Sequence, residues 1–325
     1  MSAYRLLADI GGTNARFALQ ARGRDPADVE VLACRDYATV DAAIDAYLAQ
    51  AAARGHDVHG LRHAAIAIAN PVEGDCVAMT NHHWRFSIEA LRGRLDLATL
   101  LVVNDFAALA LALPHLGDTS RVRIGGADVA GAPGRPIGLV GPGTGLGVSG
   151  VVPVPGCAAG EANRWIALAG EGGHASFAPA TRDERRILDA LAEEHGHVSN
   201  ERLLSGPGLE AIHRVLAGEA LSAAVITARA LDGTSAACRA TVDVFCAVLG
   251  SVAGNIALTL GATGGLYVGG GIVPRLGPLF HASSFRARFE GKGRLQPWLA
   301  RIPTWLVTAP YPALCGAAAL LDAAT

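Results

Sequence analysis

The chain has 325 residues, 51% of them hydrophobic and only 17% charged, with 40 glycines. That length supports two domains with sizeable cores, and the composition excludes a disordered or fibrous chain in favour of a compact α/β protein with many tight turns. A formal net charge of −2 and a pI near 6.6 leave no basic footprint for nucleic acid.

Tyr4–Ile10 reads as a strand, 11–14 as a turn and 15–20 as a second strand, a β-hairpin whose tip is Gly11-Gly12-Thr13-Asn14. Asp9 interrupts the first apolar run and no positive segment precedes it, so no secretory signal is expected. Alanine-rich helical periodicity covers 40–54. Strands follow at 64–69, ending in Asn70-Pro71, and at 99–103, ending in Asn104-Asp105. The first half is thus β-β-α-β-α-β, with Asn70, Asn104 and Asp105 at its strand ends. Buried parallel strands read as continuous apolar runs, and ligands of open α/β sheets bind at the carboxyl ends of such strands. Asp105 is placed as a general base and Asn104 as a ligand-orienting amide. Equally, the pair suits the cap of a helix over 106–113.

The Pro/Gly-rich segment 125–136 opens a second half. Strand 137–141, turn 142–147 and strand 148–152 repeat the glycine-tipped hairpin, so the two halves look like an internal duplication. Helices are expected at 182–195, 208–217 and 236–260, and a short strand at 265–268 ends in Gly269-Gly270-Gly271. Residues 244–274 carry no charge and are long enough to mimic a membrane span. Ser251, Asn255 and the turn 261–265 break that stretch, which predicts a buried helix followed by a buried strand. A soluble, cytoplasmic protein is expected. Cys34, Cys76, Cys157, Cys238, Cys246 and Cys315 show no C-x-x-C pair and no zinc-ligand spacing, which fits reduced thiols. His195-Gly196-His197 reads as a surface turn.

The chemistry gathers in the turns. Residues 9–14 and 141–147 both have the make-up of phosphate cradles, because glycine lets backbone N–H groups approach phosphate oxygens and Thr13 or Thr144 adds a hydroxyl. Asp9 beside a phosphate fits a water-mediated Mg²⁺ ligand better than a direct contact. Either turn alone is also an ordinary hairpin; their recurrence in matching halves favours the phosphate reading. No Walker motif occurs, and Lys292 is the only lysine. The first glycine turn runs into a strand, which excludes a dinucleotide fingerprint, and no G-x-S-x-G elbow is present. Glu171-Gly172-Gly173-His174 puts a carboxylate and an imidazole on one bend, suited to vicinal hydroxyls or to an ordinary loop. Glu201, just before Ser205-Gly206-Pro207-Gly208, also suits the start of a helix.

Together these residues resemble the bacterial glucokinase family, within the hexokinase- and actin-like sugar kinases. The resemblance covers nearly the whole chain: 8–17, 79–84, Val103-Asn104-Asp105-Phe106, 141–147, 170–174, 204–209 and 269–272. It implies an α/β, two-lobed actin-like (ribonuclease H-like) ATPase fold with a deep interlobe cleft. The small lobe would be 1–110 completed by a C-terminal helix at about 301–325, and 111–300 the large α+β lobe. It implies that Asn81, Asn104, Asp105, Glu171, His174 and Glu201 hold glucose, with Asp105 as catalytic base. Ala8, Asp9, Ile10, Gly11, Gly12, Thr13, Asn14, Gly143, Thr144 and Gly145 would hold the phosphates of ATP with its Mg²⁺. Gly269, Gly270 and Gly271 would lie against adenosine, and no side chain would bind the metal directly.

The expected reaction is transfer of the γ-phosphoryl group to the 6-hydroxyl of glucose, at the entry of glycolysis. ADP or polyphosphate as donor, and mannose, fructose or an amino sugar as acceptor, stay open. A homodimer is expected, with no membrane or nucleic-acid partner. The zinc-binding cysteine cluster of the related repressor-and-kinase branch is missing, which favours the glucokinase branch. A sugar-sensing regulator is the reading from another class; only eight residues precede Asp9, too few for a helix-turn-helix.

Overall fold

The computed structural model describes residues 4–80, 82–126, 130–155 and 164–325. In chain order it contains β1 (Tyr4–Ile10), β2 (Asn14–Ala21), β3 (Ala27–Ala33), α1 (Val40–Ala53), β4 (His63–Ile68), β5 (Cys76–Ala78), β6 (Arg85–Ser87), α2 (Ile88–Arg94), β7 (Thr99–Asn104) and α3 (Asp105–Ala112). There follow β8 (Arg121–Arg123), β9 (Ile137–Pro142), β10 (Leu146–Val154), β11 (Arg164–Ala167), α4 (Arg182–His195), α5 (Gly206–Ala217), α6 (Ala223–Leu231) and α7 (Ala236–Leu260). The rest is β12 (Gly265–Val268), α8 (Ile272–Leu276), α9 (Pro278–His281), α10 (Phe285–Glu290), α11 (Gln296–Leu299), β13 (Thr304–Val307) and α12 (Pro312–Ala324). Two compact units result, one of Met1–Leu116, Arg164–Ala169 and Pro310–Thr325, the other of Gly117–Asn163 and Gly170–Ala309.

The sheet of the first unit runs β3-β2-β1-β4-β7, with β1 antiparallel to β2 and parallel to β4, and β4 parallel to β7. Side chains alternate across a strand, and here both faces are filled. Leu6, Ala8, Ile10, Ile66 and Ile68 pack with Ile44 and Tyr47 of α1, while Leu7 and Ala65 pack with Leu314, Ala317 and Leu321 of α12. Ala67, Ala108 and Ala313 join β4, α3 and α12. These contacts are close because the residues are small: a Cβ on Gly316 of α12 would run into the Ala108 carbonyl of α3.

In the second unit β10-β9-β12-β13-β8 lie side by side, antiparallel at β9/β10 and β13/β8 and parallel at β9/β12 and β12/β13. The run β2-β1-β4-β7 and the run β10-β9-β12-β13 therefore have the same order and directions, which supports the duplication read from the hairpins. Thr39, Thr181, Ser205, Ser222 and Ser235 cap the helices that follow them by accepting a backbone N–H. The uncharged stretch is the 25-residue helix α7 followed by β12, and the apolar window of α7 is 72% buried inside the protein.

Some elements differ from the expectation. Residues 27–33 form a strand, β3, that the sequence reading passed over, and α3 starts at Asp105 rather than at 106. Residues 304–307 form a strand in the sheet of the second unit, and the last helix begins only at Pro312. Thr304-Trp305-Leu306-Val307 is a β-branched and aromatic run, followed by Pro310 and Pro312, so its local preference is extended.

Candidate active site

Three strand ends line one edge of the first unit's sheet: Ile10 is in register with Ile68, and Ile68 with Asn104. Beyond β1 the chain turns through Gly11, Gly12 and Thr13, and the turn closes where the Gly11 N–H donates to the Asn14 carbonyl at 2.9 Å. Cys34, fully buried, grips this turn from behind. Its N–H donates to the Thr13 carbonyl at 2.9 Å, and its thiol lies 3.4 Å from the Gly11 carbonyl.

Asp9 points from β1 opposite Arg16 of β2, which pairs with it at 3.1 Å. Burial raises the Asp9 carboxyl above its ordinary value, and Arg16 only partly offsets that. The guanidinium of Arg16 also lies 5.9 Å from the ring of Tyr311, a non-glycine residue at φ 48° that leads into α12. Asp9 thus has one cation, Arg16, beside it, and a second cation held through water would offset the remaining cost of burying its charge.

Asn104 and Asp105 stand where β7 passes into α3. Asn104 is the N-cap of α3, its side-chain oxygen accepting from the N–H groups of Phe106 at 2.9 Å and Ala107 at 3.2 Å. That leaves its amide NH₂, 3.4 Å from the Asn70 carbonyl, as the group able to donate to a ligand. Asp105 is the first helical residue, half-buried, with one carboxylate oxygen accepting the Phe106 N–H at 2.9 Å. A carboxylate in the first turn is favoured by the helix dipole. Asn81 lies outside the described residues.

In the second unit, the other glycine turn is Gly143-Thr144-Gly145, shorter than expected and closed by the Gly143 N–H to the Gly145 carbonyl at 2.8 Å. Gly269, Gly270 and Gly271 approach it from β12. The Gly269 N–H donates to the Val140 carbonyl at 2.8 Å, and Gly270, at φ 77°, passes so close that a Cβ would strike the Pro142 carbonyl. Glu171, Gly172, Gly173 and His174 form a tight turn beside β10, with Gly173 pressed on the Leu146 carbonyl and both Glu171 and His174 exposed. Glu201 sits in the neighbouring turn Asn200–Arg202, whose Asn200 N–H donates to the Ala175 carbonyl at 2.9 Å. Its carboxylate accepts the Leu146 N–H at 2.8 Å, directly after the glycine turn.

The fold therefore gathers the second glycine turn, the 171–174 turn, Glu201 and Gly269–Gly271 within one unit. A cavity of about 620 Å³ opens beside the turn, lined by Thr144, Glu201, Ser205, Pro207, Glu210 and Arg214 among others. Its lining does not reach Gly269–Gly271. Within this unit the turns offer backbone N–H donors for anionic oxygens and carboxylates for hydroxyls. Among the described residues no cluster of three metal-ligating side chains occurs. Sequence reasoning missed Arg16 and Cys34. Asp9 and Arg16 face each other across the hairpin register, a signal open to inspection; Cys34 reaches the turn through β3, which had not been recognised.

The sequence profile of the Glucokinase family matches residues 6–324. The chain belongs to the glucokinase family. It is 53% identical over 323 residues to the glucokinase of Chromobacterium violaceum, covering 98% of this chain and 89% of that one. It is 52% identical over 324 residues to the bifunctional protein glk of Paraburkholderia xenovorans, and spans only about half, 48%, of that longer relative while 98% of this chain is covered. Among solved structures, a glucokinase from an Antarctic psychrotroph superposes with a TM-score of 0.85 at 34% identity, covering 99% of this chain and all of that one. The α/β fold with mixed sheets is thus that of the actin-like sugar kinases.

Proposed function

We propose that the chain is a glucokinase that transfers the γ-phosphoryl group of Mg-ATP to the 6-hydroxyl of glucose. The observation that carries the reading is Asp105: a carboxylate at the carboxyl end of the parallel strand β7, on the same end of the sheet as the Asp9–Asn14 turn. The two units are read as lobes closing on a cleft between them, with Asn81, Asn104, Asp105, Glu171, His174 and Glu201 around the sugar. Asn104 would donate its amide to a sugar hydroxyl, and Glu171, His174 and Glu201 would supply acceptors and a donor. Asp105 accepts the proton of the 6-hydroxyl as its oxygen attacks phosphorus in line. Base catalysis of this kind contributes about 10² to 10⁴-fold.

The Gly11–Thr13 and Gly143–Gly145 turns would receive phosphate oxygens on backbone N–H groups, with no lysine needed. Asp9 would hold magnesium through water, and the ion supplies charge neutralisation at the phosphates. The cavity beside Thr144 is large enough for the nucleoside end of the donor. Closure of the lobes would exclude water and so limit ATP hydrolysis. A cytoplasmic homodimer is part of the proposal.

A coupled assay of the purified protein across sugars and phosphoryl donors tests it. Glucose 6-phosphate should form with Mg-ATP and glucose. No product with that pair, or a clear preference for mannose, fructose or an amino sugar, would overturn the glucose assignment.

A further inference from the structure

Glu201 is assigned above to the sugar, yet its carboxylate is already engaged within its own unit. Oε2 accepts the Leu146 N–H at 2.8 Å, at the exit of the Gly143–Gly145 turn. At the entrance, the Gly206 N–H donates to the Gly143 carbonyl at 2.9 Å. Ser205, 3% exposed, joins the two grips: its hydroxyl donates to the Glu201 carbonyl at 2.8 Å and accepts the Gly208 N–H at 3.1 Å as the cap of α5. A Cβ on Gly145 would meet the Glu201 carboxylate, which would have to swing aside and give up its place on the turn.

We propose that Glu201 is a positioning residue for the phosphate turn as well as a sugar ligand, and that residues 201–206 clamp the turn at both ends. The inference rests on the proposed kinase function for the identity of the two ligands. A carboxylate accepting a backbone N–H makes a charge-assisted bond, stronger than a neutral one. With Oε2 holding the turn, Oε1 is the oxygen that accepts a sugar hydroxyl, so one carboxylate serves both the acceptor site and the donor site. Any ligand that draws on Glu201 from one side then biases the other, and such a coupling is reciprocal. The bond also explains why this turn is built on glycine at its third position rather than at its first alone.

The test separates nucleotide binding from sugar binding. Mg²⁺ with a non-hydrolysable ATP analogue is titrated calorimetrically into the protein without sugar. Glu201→Ala should weaken that binding by about tenfold, as expected for loss of one charge-assisted bond in the loop scaffold. Glu201→Gln keeps an oxygen for the Leu146 N–H, so its sugar-free nucleotide affinity should stay within about threefold of the parent while its KM for glucose rises. Glu171→Ala, which removes no bond to the turn, should raise the KM for glucose and leave sugar-free nucleotide affinity unchanged. Gly145→Ala tests the same contact from the other side, since its added methyl displaces the Glu201 carboxylate, and should weaken nucleotide binding likewise. Unchanged affinity in Glu201→Ala and Gly145→Ala, against a parent that binds, overturns the clamp alone. A parent that binds no nucleotide overturns the kinase reading and the clamp together.

Discussion

Replacing Gly316 with alanine should destabilise the protein, although alanine is the better helix former. By propensity alone the change in the body of α12 favours the folded state by about 1 kcal/mol. The added Cβ, however, would run into the carbonyl oxygen of Ala108 and crowd the Ala108 backbone on α3. Backbone cannot rotate aside as a side chain can, so the two helices must separate, and such overpacking costs about 1–3 kcal/mol. Because the clash is with backbone it falls in the upper part of that range, about 2–3 kcal/mol, so the net expectation is a loss of about 1–2 kcal/mol, or a fall in Tm of about 2–4 °C. Gly93, in the last turn of α2, is the internal comparison, because a Cβ there meets nothing within 4 Å. Gly93→Ala should hold or raise the Tm. Urea and thermal melts of both variants decide the sign. Turnover adds a second reading: α3 begins at Asp105, so Gly316→Ala should also lower kcat, and Gly93→Ala should not. A Gly316→Ala protein as stable and as active as its parent would refute the close-packing argument.

Asp105→Ala should retain glucose binding within about an order of magnitude while losing most turnover, about 10² to 10⁴-fold in kcat; near-normal kcat would remove Asp105 from the base role. Cys34 is buried and its thiol is raised by that burial, so under native alkylation the exposed Cys76 should react first, as peptide mass spectrometry would show; early labelling of Cys34 would contradict its place behind the turn. Burial pushes the Glu184 carboxyl up, but hydrogen bonds from Arg288, at 2.6 and 3.1 Å, and from the Ala180 N–H bring it below its ordinary value. A depressed folded value means that the ionised pair stabilises above the ordinary carboxylate range and that this stability is lost as pH falls through the depressed value. Acid-unfolding curves should therefore flatten in Glu184→Gln, which at neutral pH should cost about 3 kcal/mol by leaving the Arg288 charge with the Ser251 hydroxyl but no carboxylate.

The features legible in the sequence were local ones. Apolar runs broken by glycine turns marked β1, β2 and β9, helical periodicity marked α1 and a long uncharged stretch marked α7, because each signal is set by neighbours in the chain. Residues 27–33 escaped notice because this edge strand keeps most of its length partly exposed and carries Asp28 and Glu30, so its alternation is blurred. Residues 304–307 were absorbed into an expected helix because the stop signal is the pair of prolines after them. In the site, Asn104-Asp105 could be found from its position at a strand end, but which of the two caps α3 depends on helix geometry. The bond from Leu146 to Glu201 joins residues 55 apart, and no local pattern encodes it.

At Gly173 and Gly270 the fold depends on atoms that are missing, since a methyl group at each would strike a carbonyl oxygen, and at Gly145 one would displace the Glu201 carboxylate. Alanine scanning is designed to delete a contact and leave a hole; at these three positions it inserts matter where two backbones, or a backbone and a carboxylate, already touch. A scan that ranks residues by what their side chains contribute will credit these glycines with interactions they do not make. The damage it records there measures instead how little room the turns have to move, and only at Gly145, which faces a side chain, can the opposing group be trimmed to make space.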